Sequence, residues 1–328
     1  MKMRWKLFVL VAMMGVAMMS VATVHAADDA APEEGAQKAI LVTGASSGIG
    51  LKITEYLSAA GHFVYAGARK QKDLDSLNEM ENVQSVRLDV TIQSEIDAAV
   101  ATISEAGRGL YAVVNNAGVA IYRPVLETSD EDFHFQMDVN VYGPFRITKA
   151  FAPLVMAEQG RFTTIGSISG TVTWPGLSAY SMTKHAMEAF NDAFAAEMEP
   201  ENVTVNIVEP GNYKSRISAS LQQRAVDQLL ASGEKLTEDQ QAFVDTPLND
   251  RSQYKDPDEV AAAVMLALFD DNPKARYMVV PNEEEASMTI GKAMQKLVEL
   301  NADQPYTYDR EALIEMLDAQ LSAVGGTE

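Results

Sequence analysis

The chain of 328 residues contains no cysteine, which excludes disulfides, thiolate catalysis and cysteine-based zinc sites. Histidine is scarce as well, since only His25, His62, His134 and His185 occur. No two of them stand at metal-ligand spacing, so no metal site is expected. His185 follows Lys184 directly and reads as a helix-surface residue. Positive charge is short too: 26 lysines and arginines face 46 acids, for a net charge of −20. Such a surface repels nucleic acid and anionic membranes as partners. Its simplest use is solubility.

What the chain does have begins with a separate amino-terminal object. Lys2, Arg4 and Lys6 precede an apolar run from Leu7 to Met19, and Val24, His25 and Ala26 supply a cleavage-type end. The pattern reads as a secretory signal peptide over 1–26, exporting the protein to the periplasm or the cell exterior. An uncleaved membrane anchor is the alternative, although a bilayer span needs about 20 apolar residues. Neither a twin arginine nor a lipobox cysteine is present, so general secretion is the simplest route. Residues 27–37 (ADDAAPEEGAQ) read as a disordered linker. The whole chain is 47% hydrophobic, enough for one large globular domain.

KAILVT at 38–43 is a short apolar run, consistent with a buried strand. A glycine-rich turn follows at once, with Gly44, Ser46, Ser47, Gly48, Ile49 and Gly50, and then an amphipathic stretch to Ala60. Strand, glycine turn and helix form a dinucleotide-binding start, because glycine lets the backbone approach a pyrophosphate and the helix amino terminus favours its charge. FVYAGA at 63–68 reads as a second strand and ends at Arg69. An acid near this point would hold unphosphorylated ribose. An arginine instead pairs with a 2′-phosphate, so NADP(H) is favoured and NAD(H) remains admissible. Runs at 83–88 and 110–114 read as further strands, closed by Asp89 and Val90 and by Asn115, Asn116, Ala117 and Gly118. Helical patterns fall between them, near 71–80 and 94–106. Alternation of this kind predicts an α/β fold: a doubly wound, Rossmann-like parallel sheet of about seven strands, with helices on both faces. Ligands of such sheets sit at the carboxyl ends of the strands.

The second half carries proton chemistry. Tyr180 and Lys184 stand four apart in AYSMTKHAMEAF, about one helical turn, and so share a face. A cation beside a phenol favours the phenolate and lowers its pKa toward working range. Ser167 closes a fifth strand at 162–166, and the loop ISGTVTWPGLSA can return it to Tyr180 thirteen residues on. Asn140 lies inside a long helical region, where its amide can hold a water or a backbone carbonyl. A sixth strand at 203–208 is followed by Pro210 and Gly211.

Taken in order, TGASSGIG at 43–50, NNAG at 115–118, Asn140, Ser167, YSMTK at 180–184 and PG at 210–211 resemble the short-chain dehydrogenase/reductase family. The resemblance spans roughly residues 38–282. It implies Tyr180 as general acid or base and Lys184 as the cation that lowers its pKa and holds the nicotinamide ribose. It implies Ser167 as the group orienting the substrate oxygen and Asn140 as the holder of a relay water. Asp89 would meet the adenine, Asn115 the adjacent ribose, and Pro210 and Gly211 would bracket the nicotinamide. Ser215 stands where the family often has a carboxamide-binding threonine. Ser47 stands where NADP-preferring members often have a basic residue, leaving phosphate recognition mainly to Arg69. The expected activity is interconversion of a carbonyl and an alcohol with a nicotinamide cofactor. The competing readings are a non-catalytic nucleotide-binding or sensing protein of the same fold, and a cofactor-recycling isomerase.

Residues 212–256 show no clear strand. Helical spacing covers Arg216 to Ser232, a polar loop follows, and by resemblance the region covers the substrate. A helix over 256–269 and a strand over 276–280 complete the domain. The extension 283–328 predicts two helices, whose Met288, Ile290, Met294, Leu297 and Leu300 can pack in the core, on the lid or on a second subunit of a homo-oligomer. These methionines and the YAGARK segment resemble the branch acting on lipophilic alcohols, so a lipophilic small-molecule substrate is expected.

Overall fold

In the computed structural model, residues 37–231, 233, 235–246 and 251–325 are described. The segment 1–26 and nearly all of the linker lie outside them. Gln37, at the linker's end, donates from Nε2 to the Gly61 carbonyl at 2.9 Å and to Asn82 Oδ1 at 3.1 Å. Gln37 is therefore fastened to the sheet domain and not part of a disordered linker.

Seven short strands form the centre: β1 Ala39–Val42, β2 Phe63–Ala68, β3 Val83–Arg87, β4 Ala112–Asn115, β5 Arg161–Ile165, β6 Thr204–Pro210 and β7 Arg276–Val279. All pairings are parallel, in the order β3-β2-β1-β4-β5-β6-β7. Parallel strands covered on both faces need apolar side chains on both, which is why β1 reads AILV without alternation and is buried throughout. Its side chains still part by parity. Ile40 and Val42 pack with Ile53 and Leu57 of α1 (Gly48–Ala59) and with Val260 and Val264 of α9 (Asp258–Phe269). Leu41 packs on the other side with Ile96 of α3 (Gln93–Glu105) and with Ile147 and Phe151 of α5 (Gly143–Ala157). Each such fully buried side chain contributes roughly 1.5–3 kcal/mol. The predicted doubly wound α/β sheet is therefore the observed one.

Chain direction across the sheet reverses between β1 and β4, and a crevice opens there at the carboxyl ends of the strands. Two departures from the sequence reading matter for that crevice. The long helical region around Asn140 is not one helix. It is α4 (Asp130–Met137), a π-helical turn over Asp138–Tyr142, and α5. The polar loop after α7 (Ile217–Ala231) contains a further helix, α8 (Glu238–Asp245).

The extension forms α10 (Glu283–Asn301) and α11 (Arg310–Gly325). Met288, Ile290, Met294, Leu297 and Leu300 are each at least a third exposed, so packing in the core does not describe them. Polar contacts fasten α10 instead. Glu285 Oε2 accepts from the Asn212 backbone at 2.9 Å, and Lys296 Nζ donates to the Thr171 carbonyl at 2.5 Å. Lys296 Nζ also lies 3.2 Å from His185 Nε2, which makes His185 a half-buried bridge rather than a surface residue. Among the described residues no helix is long and apolar enough to cross a membrane.

Candidate active site

The turn between β1 and α1 is shaped by what a side chain would strike. Gly44 and Gly48 have φ of 64° and 57°, the left-handed region that favours glycine. A Cβ on Gly44 would lie 2.9 Å from Ala117 Cα, and one on Gly48 would lie 3.2 Å from Ser215 Cα. Thr43 ties this turn to the end of β4, its Oγ1 accepting from the backbone N–H groups of Asn116 and Ala117 at 3.0 Å each. Asn116 closes the stitch from the other side, with Nδ2 donating to the Thr43 and Gly44 carbonyls at 2.8 and 3.1 Å. Ser47, the first residue before α1, makes no side-chain cap, so the N–H groups of the first turn keep their capacity to bind an anion.

One cleft of about 480 Å³ runs along these residues. At one end are Arg69, Asp89 and Val90; in the middle are Gly44, Ser46, Ser47, Gly48, Ile49, Gly50, Ala117 and Gly118; beyond them lie Ser167, Tyr180, Lys184, Pro210, Gly211 and Ser215. The sequence-predicted residues thus converge, with two exceptions. Asn115 and Asn140 stand behind the lining. Asn115 ends β4 in the core, donating from Nδ2 to Thr148 Oγ1 at 3.1 Å, while its Oδ1 is buried without a hydrogen-bond partner. Asn140 is turned inward by the π-helical turn. Its Oδ1 accepts from Val119 N at 2.8 Å and its Nδ2 donates to Val119 O at 2.8 Å and Thr183 Oγ1 at 3.1 Å. Of its two expected partners, the amide holds the backbone carbonyl. It pins the loop that follows β4, at Val119, to the helix that carries Tyr180.

That helix, α6 (Ser178–Met198), buries both Tyr180 and Lys184. The expectation that Lys184 pulls the phenol's pKa down is not met here. Burial pushes the Tyr180 phenol up, nearby Tyr122 adds to this, and a hydrogen bond from Ser167 and the charge of Arg251 pull the other way. Burial equally disfavours the lysine's charge, lowering Lys184 to about 8. Lys184 Nζ donates to the Ile165 carbonyl at 2.8 Å and lies 5.7 Å from the centre of the Tyr180 ring. Shared helical face was legible from spacing; desolvation, the largest influence on both groups, was not.

At the far end, Arg69 Nη1 pairs with Asp89 Oδ2 at 3.4 Å. Burial alone would raise Asp89, but hydrogen bonds from Thr91 and the Arg69 charge outweigh it and hold the carboxyl below its usual range. Glu209, next to Pro210, goes the opposite way. Burial first, and then neighbouring Glu188, raise it to about 8. Between its ordinary value of 4.5 and about 8, the folded state keeps a proton that the unfolded chain has lost. Stability from this group therefore falls as pH rises through that window. Glu209→Gln is expected to flatten the decline, read as the difference in urea-denaturation midpoint between variant and wild type from acid to alkaline pH.

Several lining residues carried no readable signal. Tyr122, Trp174, Leu177, Tyr213 and Tyr254 form an aromatic and apolar end beside Tyr180. Arg251 joins them, donating to the Tyr213 carbonyl at 3.2 Å and to Asn212 Oδ1 at 2.8 Å, with its guanidinium 4.3 Å from the Tyr254 ring centre.

Comparison with known proteins fits this geometry. The family model described as short chain dehydrogenase matches residues 38–225. The mitochondrial D-beta-hydroxybutyrate dehydrogenase of Bos taurus is 37% identical over 186 residues, 54% of this chain and 54% of the relative. The chain thus matches about half the length of that relative. The NADPH-dependent 3-dehydrocapnine reductase of Ornithobacterium rhinotracheale is 32% identical over 255 residues, 74% of this chain and 88% of the relative. A short-chain dehydrogenase from Streptomyces avermitilis, solved as a crystal structure, superimposes with a TM-score of 0.66 at 28% identity, covering 81% of this chain and 95% of that one.

Proposed function

Because this chain belongs to the short-chain dehydrogenase family, we propose that it is an oxidoreductase interconverting a carbonyl and an alcohol, with Tyr180 moving the proton. The observation that carries this reading is the convergence of Ser167, Tyr180 and Lys184 at one end of the cleft whose other end is the glycine turn. A nicotinamide dinucleotide, when bound, would supply or accept the hydride. The cleft suits it: left-handed glycines clear its floor, and the first turn of α1 offers uncapped N–H groups to a pyrophosphate. Pro210, Gly211 and Ser215 would flank its nicotinamide end, and Lys184 would hold the neighbouring ribose.

The chain's own part in reduction is to receive the substrate oxygen between Ser167 Oγ and the Tyr180 hydroxyl. The phenol's proton passes to that oxygen as the carbon takes up hydride. Its upward-shifted pKa keeps the proton on Tyr180 until negative charge develops on the substrate. Oxidation reverses both transfers. The aromatic end of the cleft suits a lipophilic carbonyl or alcohol. The test is nicotinamide absorbance during incubation with carbonyl and alcohol panels. Turnover of lipophilic members is expected, and binding of dinucleotide with no turnover of any would favour the non-catalytic reading.

For the cofactor, Arg69 supports NADP(H), as does the similarity to the NADPH-dependent 3-dehydrocapnine reductase. A 2′-phosphate would compete with Asp89 for the guanidinium. Charged hydrogen bonds contribute about 1.5–3 kcal/mol, so Arg69→Ala is expected to weaken NADP(H) at least tenfold (roughly) more than NAD(H). Dissociation constants from nucleotide fluorescence check this; equal losses for both cofactors would refute it. Residues 1–26 support export with cleavage after Ala26. Intact amino-terminal mass of protein from separated cell fractions tests it, and an unprocessed Met1 found only in membranes would refute cleavage.

A further inference from the structure

On α6 the one face that carries Tyr180 and Lys184 continues at the same spacing with Glu188 and Asp192. The catalytic pair therefore heads a column of titratable groups that runs away from the cleft, and none of the steps above uses its lower half. Glu188 is mostly buried, with 16% of its side chain exposed, and Glu209 of β6 is closer still to full burial at 9%. A single cation meets them from β7. Arg276 Nε lies 3.1 Å from Glu188 Oε2 and 3.7 Å from Glu209 Oε1, and its Nη2 lies 2.5 Å from Asp192 Oδ1. The second oxygen of Glu188, Oε1, is buried without a hydrogen-bond partner. Space for it is kept by glycine, since a Cβ on Gly170 would lie 2.8 Å from that oxygen. The Glu209 carboxyl hydrogen-bonds to Glu188, so two buried acids and one guanidinium meet one helical turn behind Lys184, where charge is weakly screened by water.

We propose that Glu188 is a positioning residue: it is the counter-charge, one helical turn behind Lys184, that keeps Lys184 protonated, and Arg276 limits how much of that charge the lysine meets. The proposal rests on the reading of Lys184 as the cation of the hydride-transfer site. Among the described residues no carboxylate forms an ion pair with Lys184; its Nζ bonds the Ile165 carbonyl. Burial drives it toward neutrality, and the charge of Glu188 is the influence that opposes this. Among the described residues, the titratable groups facing Glu188 are Lys184 and Asp192 from α6, Glu209 from β6 and Arg276 from β7; Gly166, just after β5, and Gly170 border it without charge. Glu209 holds a proton through neutral pH for the reasons given above, and that carboxyl hydrogen-bonds to Glu188. A lowered lysine pKa means charge is lost as pH rises through about 8, and Glu188 sets where that loss falls.

The experiment is a pH titration of the full chain without substrate, followed by NMR of protein carrying 13Cε-labelled lysine. The Lys184 resonance is identified by its absence in Lys184→Met. In Glu188→Gln the midpoint is expected to move down by on the order of one pH unit. In Arg276→Gln, which removes the neutralising guanidinium, it is expected to move up. Opposite shifts support the proposal. Unchanged midpoints, or shifts of the same sign, overturn it, because loosened packing alone would move both variants alike. If Glu188→Gln does not fold, Arg276→Gln is compared with Arg276→Lys, which keeps the charge: an upward shift in the first alone supports the proposal, and no shift, a downward one or the same shift in both overturns it. Absence of turnover in any carbonyl assay would defeat the oxidoreductase reading without touching this titration.

Discussion

Tyr180→Phe is expected to lower turnover by on the order of 10²–10⁴-fold, the usual worth of a positioned general acid or base, with cofactor affinity nearly unchanged. The substitution removes one oxygen and keeps the ring, which is buried in α6 beside the cleft. Fold and cofactor contacts should therefore persist. Neither Ser167 nor Lys184 can take over the proton. The Ser167 hydroxyl accepts from Ser169 N at 3.1 Å and lies 3.4 Å from the Pro210 carbonyl, and an aliphatic alcohol is a far weaker acid than a phenol. Lys184 is turned toward the Ile165 carbonyl. Steady-state turnover and nucleotide binding, measured on the same preparation, separate the two effects. Near-wild-type turnover in the variant would sink the assignment of Tyr180. A loss of binding equal to the loss of turnover would mean that the hydroxyl holds the cofactor rather than moving a proton.

The residues of this site differ in how far sequence could place them, and the differences have physical causes. Strands buried on both faces are continuous apolar runs, so AILV and FVYAGA declare themselves from composition. The glycine turn is legible because left-handed backbone and close approach both demand glycine. Asn115 and Asn116 show the limit of that logic. They are chemically identical neighbours, yet strand parity sends the first into the core and leaves the second free to tie Gly44 to β4. The π-helical turn at 138–142 has no compositional mark, because one extra residue in a helical turn changes no residue type. Arg251 reaches Tyr180 from a segment distant in sequence, and only tertiary structure brings such a pair together. Even the Tyr180–Lys184 spacing gave geometry without energetics, since the direction of both shifts is decided by burial.

Gly50 gives the second large effect, and its sign is decided by distances. Gly50 is the third residue of α1, and in a helix alanine normally stabilises over glycine by about 0.5–1 kcal/mol. Here a Cβ would lie 2.3 Å from Asn116 Nδ2 and 2.4 Å from the Gly44 carbonyl oxygen. One of these atoms is backbone of the cofactor turn, and the other is the amide that fixes it. Neither can yield without opening the stitch between β1 and β4. Overpacking of this kind costs about 1–3 kcal/mol, more than the propensity gain, and the displaced turn is the one that faces the pyrophosphate. Gly50→Ala is therefore expected to weaken dinucleotide binding by roughly tenfold or more and to lower the denaturation midpoint. Gly291, inside α10, is the matched control, because a Cβ there meets nothing within 4 Å. Gly291→Ala should stabilise by about the propensity difference and leave binding alone. Opposite shifts in midpoint for the same chemical change would locate the cost in the turn. Unaltered binding by Gly50→Ala would show that this close contact does not hold the cofactor site in shape.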